Sequence, residues 1–180
     1  MGQPAPVFPQ GEIWRALSVT TFVSVGNATQ SFRRLLDAIS SGALQLPQPV
    51  MVQYGNTPFQ GSGCSARAFL GMVEFGRFMT ESELLILHAG AGSVIHAIQA
   101  GKIPVVMPRL AKYGEHIDDH QLEFARAMAE AGKIVLAEEP GDLLDAVAEA
   151  MRQQRTATPS ADTPQMVGLI GAVLREHARG

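Results

Sequence analysis

The sequence is poor in cysteine, carries no surplus of positive charge and holds no long apolar run. Cys64 is the one cysteine among 180 residues. That excludes an internal disulfide framework and any multi-cysteine zinc or iron–sulfur site, and it fits a reducing compartment. Lysine and arginine together number 14 against 17 acidic residues, a formal net charge of −3. Nucleic-acid binders carry a basic excess, so no nucleic-acid partner is expected. The opening stretch MGQPAPVFPQ lacks the basic and apolar blocks of a secretory signal. The longest apolar stretch, MVGLIGAVL at 166–174, is far short of the ~18 residues needed to span a bilayer. Membrane contact is therefore expected to be peripheral or borrowed from a partner. There is no internal repeat and no low-complexity tract. The triphosphate loop GxxxxGK[ST] is missing, and the dinucleotide fingerprint GxGxxG fails because Ile95 stands at its third glycine.

What is present suits a soluble core: 46% hydrophobic and 17% charged residues. At roughly 100–200 residues per domain the chain makes one domain with a tail. Residues 1–18, with Pro4, Pro6 and Pro9, read as an irregular lead-in. The domain is expected over 19–154, a linker over 155–164 (RTATPSADTP) and a last helix over 165–180. That helix is apolar on nearly all sides. A helix lying on one sheet needs a single apolar face, so it is expected to dock outside its own domain. Strands are expected at 22–26, 50–55, 68–75, 84–88, 103–108 and 133–137. Helices are expected at 32–42, 90–101, 118–133 and 141–152, with a short turn at 79–83. Strands that are continuously apolar and alternate with helices predict a parallel sheet covered on both faces. Ligands of such folds bind outside the carboxyl ends of the strands.

Three segments there can carry chemistry. In LLILHAGAGSVIHA (84–97) a strand ends at His88, and Gly90, Ala91, Gly92 and Ser93 open a helix. The N–H groups and dipole of such a turn favour a phosphate, to which Ser93 and His88 can add donors. The plain alternative is a tight turn with a satisfied histidine; His96, one turn in, faces ligand or solvent. In PRLAKYGEHIDDHQLEFA (108–125), Arg109, Lys112, Glu115, His116, Asp118, Asp119, His120 and Gln121 crowd one connection. Short polar groups suit a hydroxyl-rich ligand, while Asp118 and Gln121 also match a capping box. Arg109 and Lys112 form a candidate clamp for a carboxylate, since a guanidinium meets a carboxylate with two parallel bonds. The alternative is two solvated cations. In SVGNATQSF (24–32), Gly26 and Asn27 make a second candidate anion turn, or an ordinary turn with Asn27 or Thr29 as helix cap. Cys64 has no base beside it and reads as unreactive, and His177 reads as a partner of a helix dipole. No metal site is expected.

The order apolar strand, HAGAGS, helix, GxxP, apolar strand, polar loop, DxxQ, helix resembles the glycosyltransferase family 28 C-terminal domain over about residues 20–150. YGEHIDDHQ further resembles small subunits of split bacterial exopolysaccharide and capsule glycosyltransferases, some described as β-1,4-glucuronosyltransferases. It also resembles the small subunit of the eukaryotic dolichol-linked GlcNAc transferase. The resemblance implies a Rossmann-like α/β domain equivalent to the C-terminal half of a two-domain, GT-B type enzyme. It implies a UDP-sugar with its diphosphate at Gly90, Gly92, Ser93 and His88, its sugar at Asp118 to Gln121, its uracil around Phe75 to Phe78, and Gly26-Asn27 across the cleft. Relatives carry a ribose-binding acid where this sequence has His96, which leaves Glu115 or another arrangement for the ribose. The implied reaction is inverting transfer, without metal or cofactor, to a polyprenyl-diphosphate-linked saccharide. The implied partner is a membrane-anchored Rossmann-like chain that supplies the acceptor half and the general base. That places the protein in the cytoplasm, peripheral at the inner membrane face, with self-association as the outcome when the partner is missing. The alternative is a non-catalytic nucleotide-binding or regulatory module; an epimerase-like enzyme is disfavoured because no Tyr-x-x-x-Lys pair is present.

Overall fold

The computed structural model describes residues 19–156. Six strands form one parallel sheet: β1 (Thr21–Ser24), β2 (Val50–Gln53), β3 (Ser65–Arg67), β4 (Leu84–His88), β5 (Val105–Met107) and β6 (Val135–Leu136). Their spatial order is β3-β2-β1-β4-β5-β6. Five helices connect or follow them: α1 (Arg33–Gly42), α2 (Met72–Glu81), α3 (Ala91–Gln99), α4 (His120–Glu130) and α5 (Leu143–Thr156).

Alternation along the strands explains the layers. Val23, Val50, Val52, Leu84, Ile86 and Val105 bury against Leu35, Leu36 and Ile39 of α1 and Leu143, Ala146 and Val147 of α5. The intervening Phe22, Met51, Leu85 and Leu87 bury against Phe78 and Met79 of α2 and Ala97 of α3. On the same side Val106 meets Val94 and Ile98 of α3 with Phe124, Ala125 and Met128 of α4. Each fully buried Leu, Val or Phe side chain contributes about 1.5–3 kcal/mol of transfer free energy. Both faces of the central strands collect it, so they read as unbroken apolar runs. The Rossmann-like α/β architecture expected from the sequence is the one observed.

One segment departs from expectation. AFLGMVEF (68–75) is not a strand: the third strand is the short Ser65–Arg67 at the sheet edge, and Met72 begins α2. The apolar run is genuine, but Phe75, Phe78 and Met79 space their side chains onto one face of α2 that packs on Phe22 and Leu85, and Leu70 joins them from the loop before the helix. The turn expected at 79–83 is the end of α2, and α5 runs through Thr156, two residues into the expected linker. The lead-in at 1–18, the remainder of that linker and the last helix, with His177, lie outside the described residues.

The chain leaves β1 for β2 and β3 on one side, then returns to β4 on the other. At that reversal the loops after β1 and β4 diverge, opening a crevice above the carboxyl ends of the strands.

Candidate functional site

The crevice is a cleft of about 510 Å³ lined by Ser24, Gly26, Asn27, Gln53, Leu70, Met72, Phe75, His88, Ser93 and His96. At its base is the imidazole of His88, the last residue of β4. The ring sits between two glycine turns. A Cβ on Gly26 would lie 2.5 Å from Nε2 of His88, and one on Gly90 would lie 2.2 Å from it. Gly26 also has φ +75°, a backbone setting that L side chains rarely adopt. Both glycines are thus demanded by the histidine. Gly92 differs: a Cβ there would meet nothing within 4 Å.

The Nδ1 atom of His88 is shut off from solvent and has no well-formed hydrogen-bond partner. Burial lowers the pKa of this histidine to about 4; the Arg109 guanidinium and the charge of His116 push the same way, against the Ser24 backbone. At neutral pH the ring is therefore uncharged and can offer one N–H donor. Gly90 caps α3 with extended backbone and no side-chain cap bond, so the first-turn N–H groups lack a side-chain acceptor. Ser93 and His96 project from the first turns of α3 into the same cleft, and the His96 ring lies 6.3 Å from that of Phe75. Two neighbouring polar groups are already committed. Gln53 bonds Ser24 Oγ and accepts from Leu70 N–H, and Ser24 Oγ accepts from Gly26 N–H.

The connection after β5 is built differently from the sequence expectation. Arg109 is completely buried. Its guanidinium donates to the carbonyls of Gln30 (2.8 Å), Glu115 (3.2 Å) and Val25 (2.9 Å), and stacks 4.6 Å from the centre of the Phe32 ring. Burial lowers its pKa to about 10, with Glu115 pulling upward, so it stays charged at neutral pH. It ties the β1–α1 loop to the β5–α4 connection and has no face left for a ligand carboxylate. Lys112 is exposed and pairs with Glu139 at 3.1 Å. The carboxylate clamp expected from Arg109 and Lys112 is therefore not assembled. Glu115 is equally committed: its carboxylate meets Arg34 at 2.9 Å and accepts from Leu110 N–H, with both partners nearly buried. It does not reach the cleft as a ribose ligand. Arg34 also donates to the carbonyls of Pro108 and Glu138.

The capping box expected from Asp118 and Gln121 is not formed. Helix α4 begins at His120 with Asp119 as its cap residue. Asp118 bonds Nδ1 of His116 (2.9 Å) and the His120 N–H, Asp119 accepts from Ala111 N–H, and Gln121 accepts from Arg109 N–H. These side chains brace the loop that overhangs β5. Among the described residues no group of three or more His, Cys, Asp or Glu side chains is arranged to hold a metal ion. Cys64 is half-buried, with its thiol pushed up by burial.

The cleft thus unites Gly26, Asn27, His88, Ser93 and His96, with Gly90, Ala91 and Gly92 forming the turn between them. Phe75, expected near a base, lines the cleft, whereas Phe78 is buried under the sheet. Sequence reasoning missed Gln53, Leu70 and Met72. The glutamine ending the apolar strand VMVQ was a readable signal, because it stands at the carboxyl end of a parallel strand. Leu70 and Met72 were hidden by reading 68–75 as a strand.

Comparison with known proteins gives a family and a fold. The profile of the glycosyltransferase family 28 C-terminal domain matches residues 20–168. No curated protein matches the chain. Among solved structures, the glycotransferase of kitacinnamycin superposes with a TM-score of 0.58 at 15% identity, covering 98% of this chain and 43% of that one. SnogD from Streptomyces nogalater gives 0.51 at 15% identity, covering 98% and 48%. MurG of Acinetobacter baumannii gives 0.50 at 20%, covering 86% and 50%. At these identities the likeness is one of fold, and the chain spans half or less of the length of each.

Proposed function

The chain belongs to the glycosyltransferase family 28 C-terminal domain family, and on that premise we propose that it is the donor-binding catalytic subunit of a split, inverting, metal-independent glycosyltransferase. The donor is a UDP-sugar and the acceptor a polyprenyl-diphosphate-linked saccharide in exopolysaccharide assembly. One observation carries the reading. The strand-order reversal, the open first turn of α3 and the imidazole of His88 meet in one cleft. That is the arrangement a diphosphate needs.

In the proposed reaction an acceptor hydroxyl attacks the anomeric carbon, and the bond from that carbon to the diphosphate oxygen breaks. Negative charge grows on the departing UDP. First-turn N–H groups of α3, the Ser93 hydroxyl and the neutral His88 donor stabilise it electrostatically. Asp118, Asp119 and Gln121 remain candidates for the sugar end. With Arg109 held inside the fold, the glucuronate reading loses its clamp, and the transferred sugar is proposed simply as a hexose. The base that takes the acceptor proton belongs to a partner chain. That membrane-anchored partner also holds the protein peripherally at the cytoplasmic face; no described helix is long and apolar enough to cross a membrane.

Isothermal titration with UDP tests the donor site. UDP should bind, and His88→Ala should lose roughly 1–3 kcal/mol of binding free energy, the worth of one hydrogen bond to a charged group. Equal UDP affinity in wild type and His88→Ala would remove the diphosphate from this cleft. Binding without transfer beside any candidate partner would instead favour a non-catalytic module.

A further inference from the structure

A second concavity lies on the α1 side of the sheet, lined by residues other than those of the His88 cleft. It measures about 430 Å³, within the roughly 300–1,000 Å³ of small-ligand sites. One wall is a polar stripe of α1: Arg33, Asp37 and Ser40 stand at i, i+4 and i+7 and so share a helix face. The other wall is the loop after β2, which contributes Tyr54, Phe59 and Gln60. The Tyr54 and Phe59 rings lie 6.2 Å apart with their planes tilted by 33°, and both rest on the core beneath. The loop that carries them is fixed in place. Thr57 is buried, its hydroxyl accepts from the Phe32 N–H at 2.8 Å, and its own N–H donates to the Tyr54 carbonyl. A Cβ on Gly61 would stand 2.5 Å from Cζ of Phe59, so the glycine makes the seat for that ring. The groove is therefore preformed, and little ordering opposes a ligand that enters it.

The chemistry of the two walls selects the ligand. Arg33 and Asp37 lie 3.9 Å apart with each side chain 68% exposed. An ion pair so open to water is weak, and both groups stay available to a ligand's hydroxyls. Their opposite charges also cancel the single-sign field that a phosphate or an acidic lipid headgroup needs. The polar stripe is equally unfit for a plain hydrocarbon chain. A pyranose matches both walls. Its C–H face covers aromatic surface, while its hydroxyls donate to Asp37 and accept from Arg33, Ser40 and Gln60. We infer that this groove binds a short neutral saccharide. The inference stands apart from the donor-site reading, because it needs no nucleotide. Asn56 Nδ2 donates to the Ala28 carbonyl at 3.1 Å and ties this loop to the Gly26–Asn27 loop of the cleft. A saccharide in the groove thus lies beside the cleft, on the carboxyl-end side of the sheet.

The test is titration of the full chain with cellobiose, maltose and lactose, followed by amide shifts in two-dimensional NMR spectra. At least one disaccharide should bind at millimolar concentration and move the signals of residues 33–40 and 54–60. Asp37→Ala, at an exposed helix position, should weaken that binding about threefold to tenfold, the effect of lost hydrogen bonds to a charged group. Phe59→Leu keeps an apolar side chain on the core but removes the flat ring, and should weaken it about tenfold. UDP affinity should be that of wild type in both variants. Binding of none of the three disaccharides overturns the inference, and so does binding of wild-type strength in both variants. Displacement of the disaccharide by excess UDP would place it in the His88 cleft and overturn the inference as well. Failure of UDP to bind while the disaccharide does would strike the donor site and leave this groove standing.

Discussion

At the scale of single residues the histidine at the end of β4 controls its surroundings. In the unfolded chain His88 takes up a proton near its ordinary 6.5, and in the fold only near pH 4. Between those values the unfolded state binds more protons, so stability falls as the pH drops from 6.5 towards 4. The loss is roughly 3 kcal/mol across the window. Urea denaturation at a series of pH values should show this slope, and His88→Asn should reduce it by about one proton. Equal slopes in the two proteins would mean that the ring is not held neutral. The glycines give a paired expectation. Gly90→Ala places a methyl 2.2 Å from Nε2 of His88, so the ring must shift, at a cost of about 1–3 kcal/mol. Gly92→Ala meets nothing and sits in a helical turn, where replacing glycine gains up to about 1 kcal/mol. Thermal melts should separate the two. UDP affinity should fall in both, for different reasons: a displaced donor in the first, a blocked approach to backbone in the second.

At the scale of elements, the connection between β5 and α4 is held by charge buried beneath it. Arg109 bonds three carbonyls contributed by the β1–α1 segment and by its own loop, and Glu115 pairs with Arg34 of α1. Arg109→Met keeps the length of the side chain but leaves those carbonyls without a donor. It should cost about 2–4 kcal/mol of stability, measured by denaturant midpoint. The ratio of UDP-glucuronate to UDP-glucose affinity should not move. A variant of wild-type stability whose only change was lost preference for the acidic sugar would bring the clamp back. The same elements explain the absent capping box. Gln121 turns to the Arg109 N–H from the loop before it, and Asp118 to its near neighbours His116 and His120, so the pairing that the DxxQ spacing offers is not made.

At the scale of the whole molecule, the chain corresponds to the C-terminal half of GT-B glycosyltransferases and spans half or less of the structures it resembles. In the proposed split enzyme the acceptor and its base approach from the half that a partner chain supplies. The purified chain should therefore bind UDP yet transfer no sugar to a lipid-linked acceptor, and transfer should begin when the partner chain is added. A radiochemical assay with and without the partner decides it; turnover by this chain alone at the rate of the pair would place the base within it.

The sequence by itself determined five of the six strands, four of the five helices and the glycine turn after His88, because these follow from local pattern. Apolar runs of four or five residues, helical spacing such as Phe32, Leu35, Leu36 and Ile39, and glycines beside His88 are readable without knowing what packs on them. It also exposed Asn27, Ser93 and His96 as site candidates, since polar residues just past strand ends must face the crevice in this fold. Tertiary structure alone decided the rest. Whether Arg109 and Glu115 faced a ligand or one another's neighbours depended on Arg34, which lies 81 residues from Glu115. The Phe32 N–H at the start of α1 is satisfied by Thr57 Oγ1 from another loop, not by Asn27 or Thr29. Residues 72–75 became the first turn of α2, in which Phe75 packs with Phe78 and Met79 on Phe22 and Leu85 while Met72 and Val73 stay exposed. Periodicity is a property of neighbours in the chain, whereas the partner of a buried charge is a property of neighbours in space.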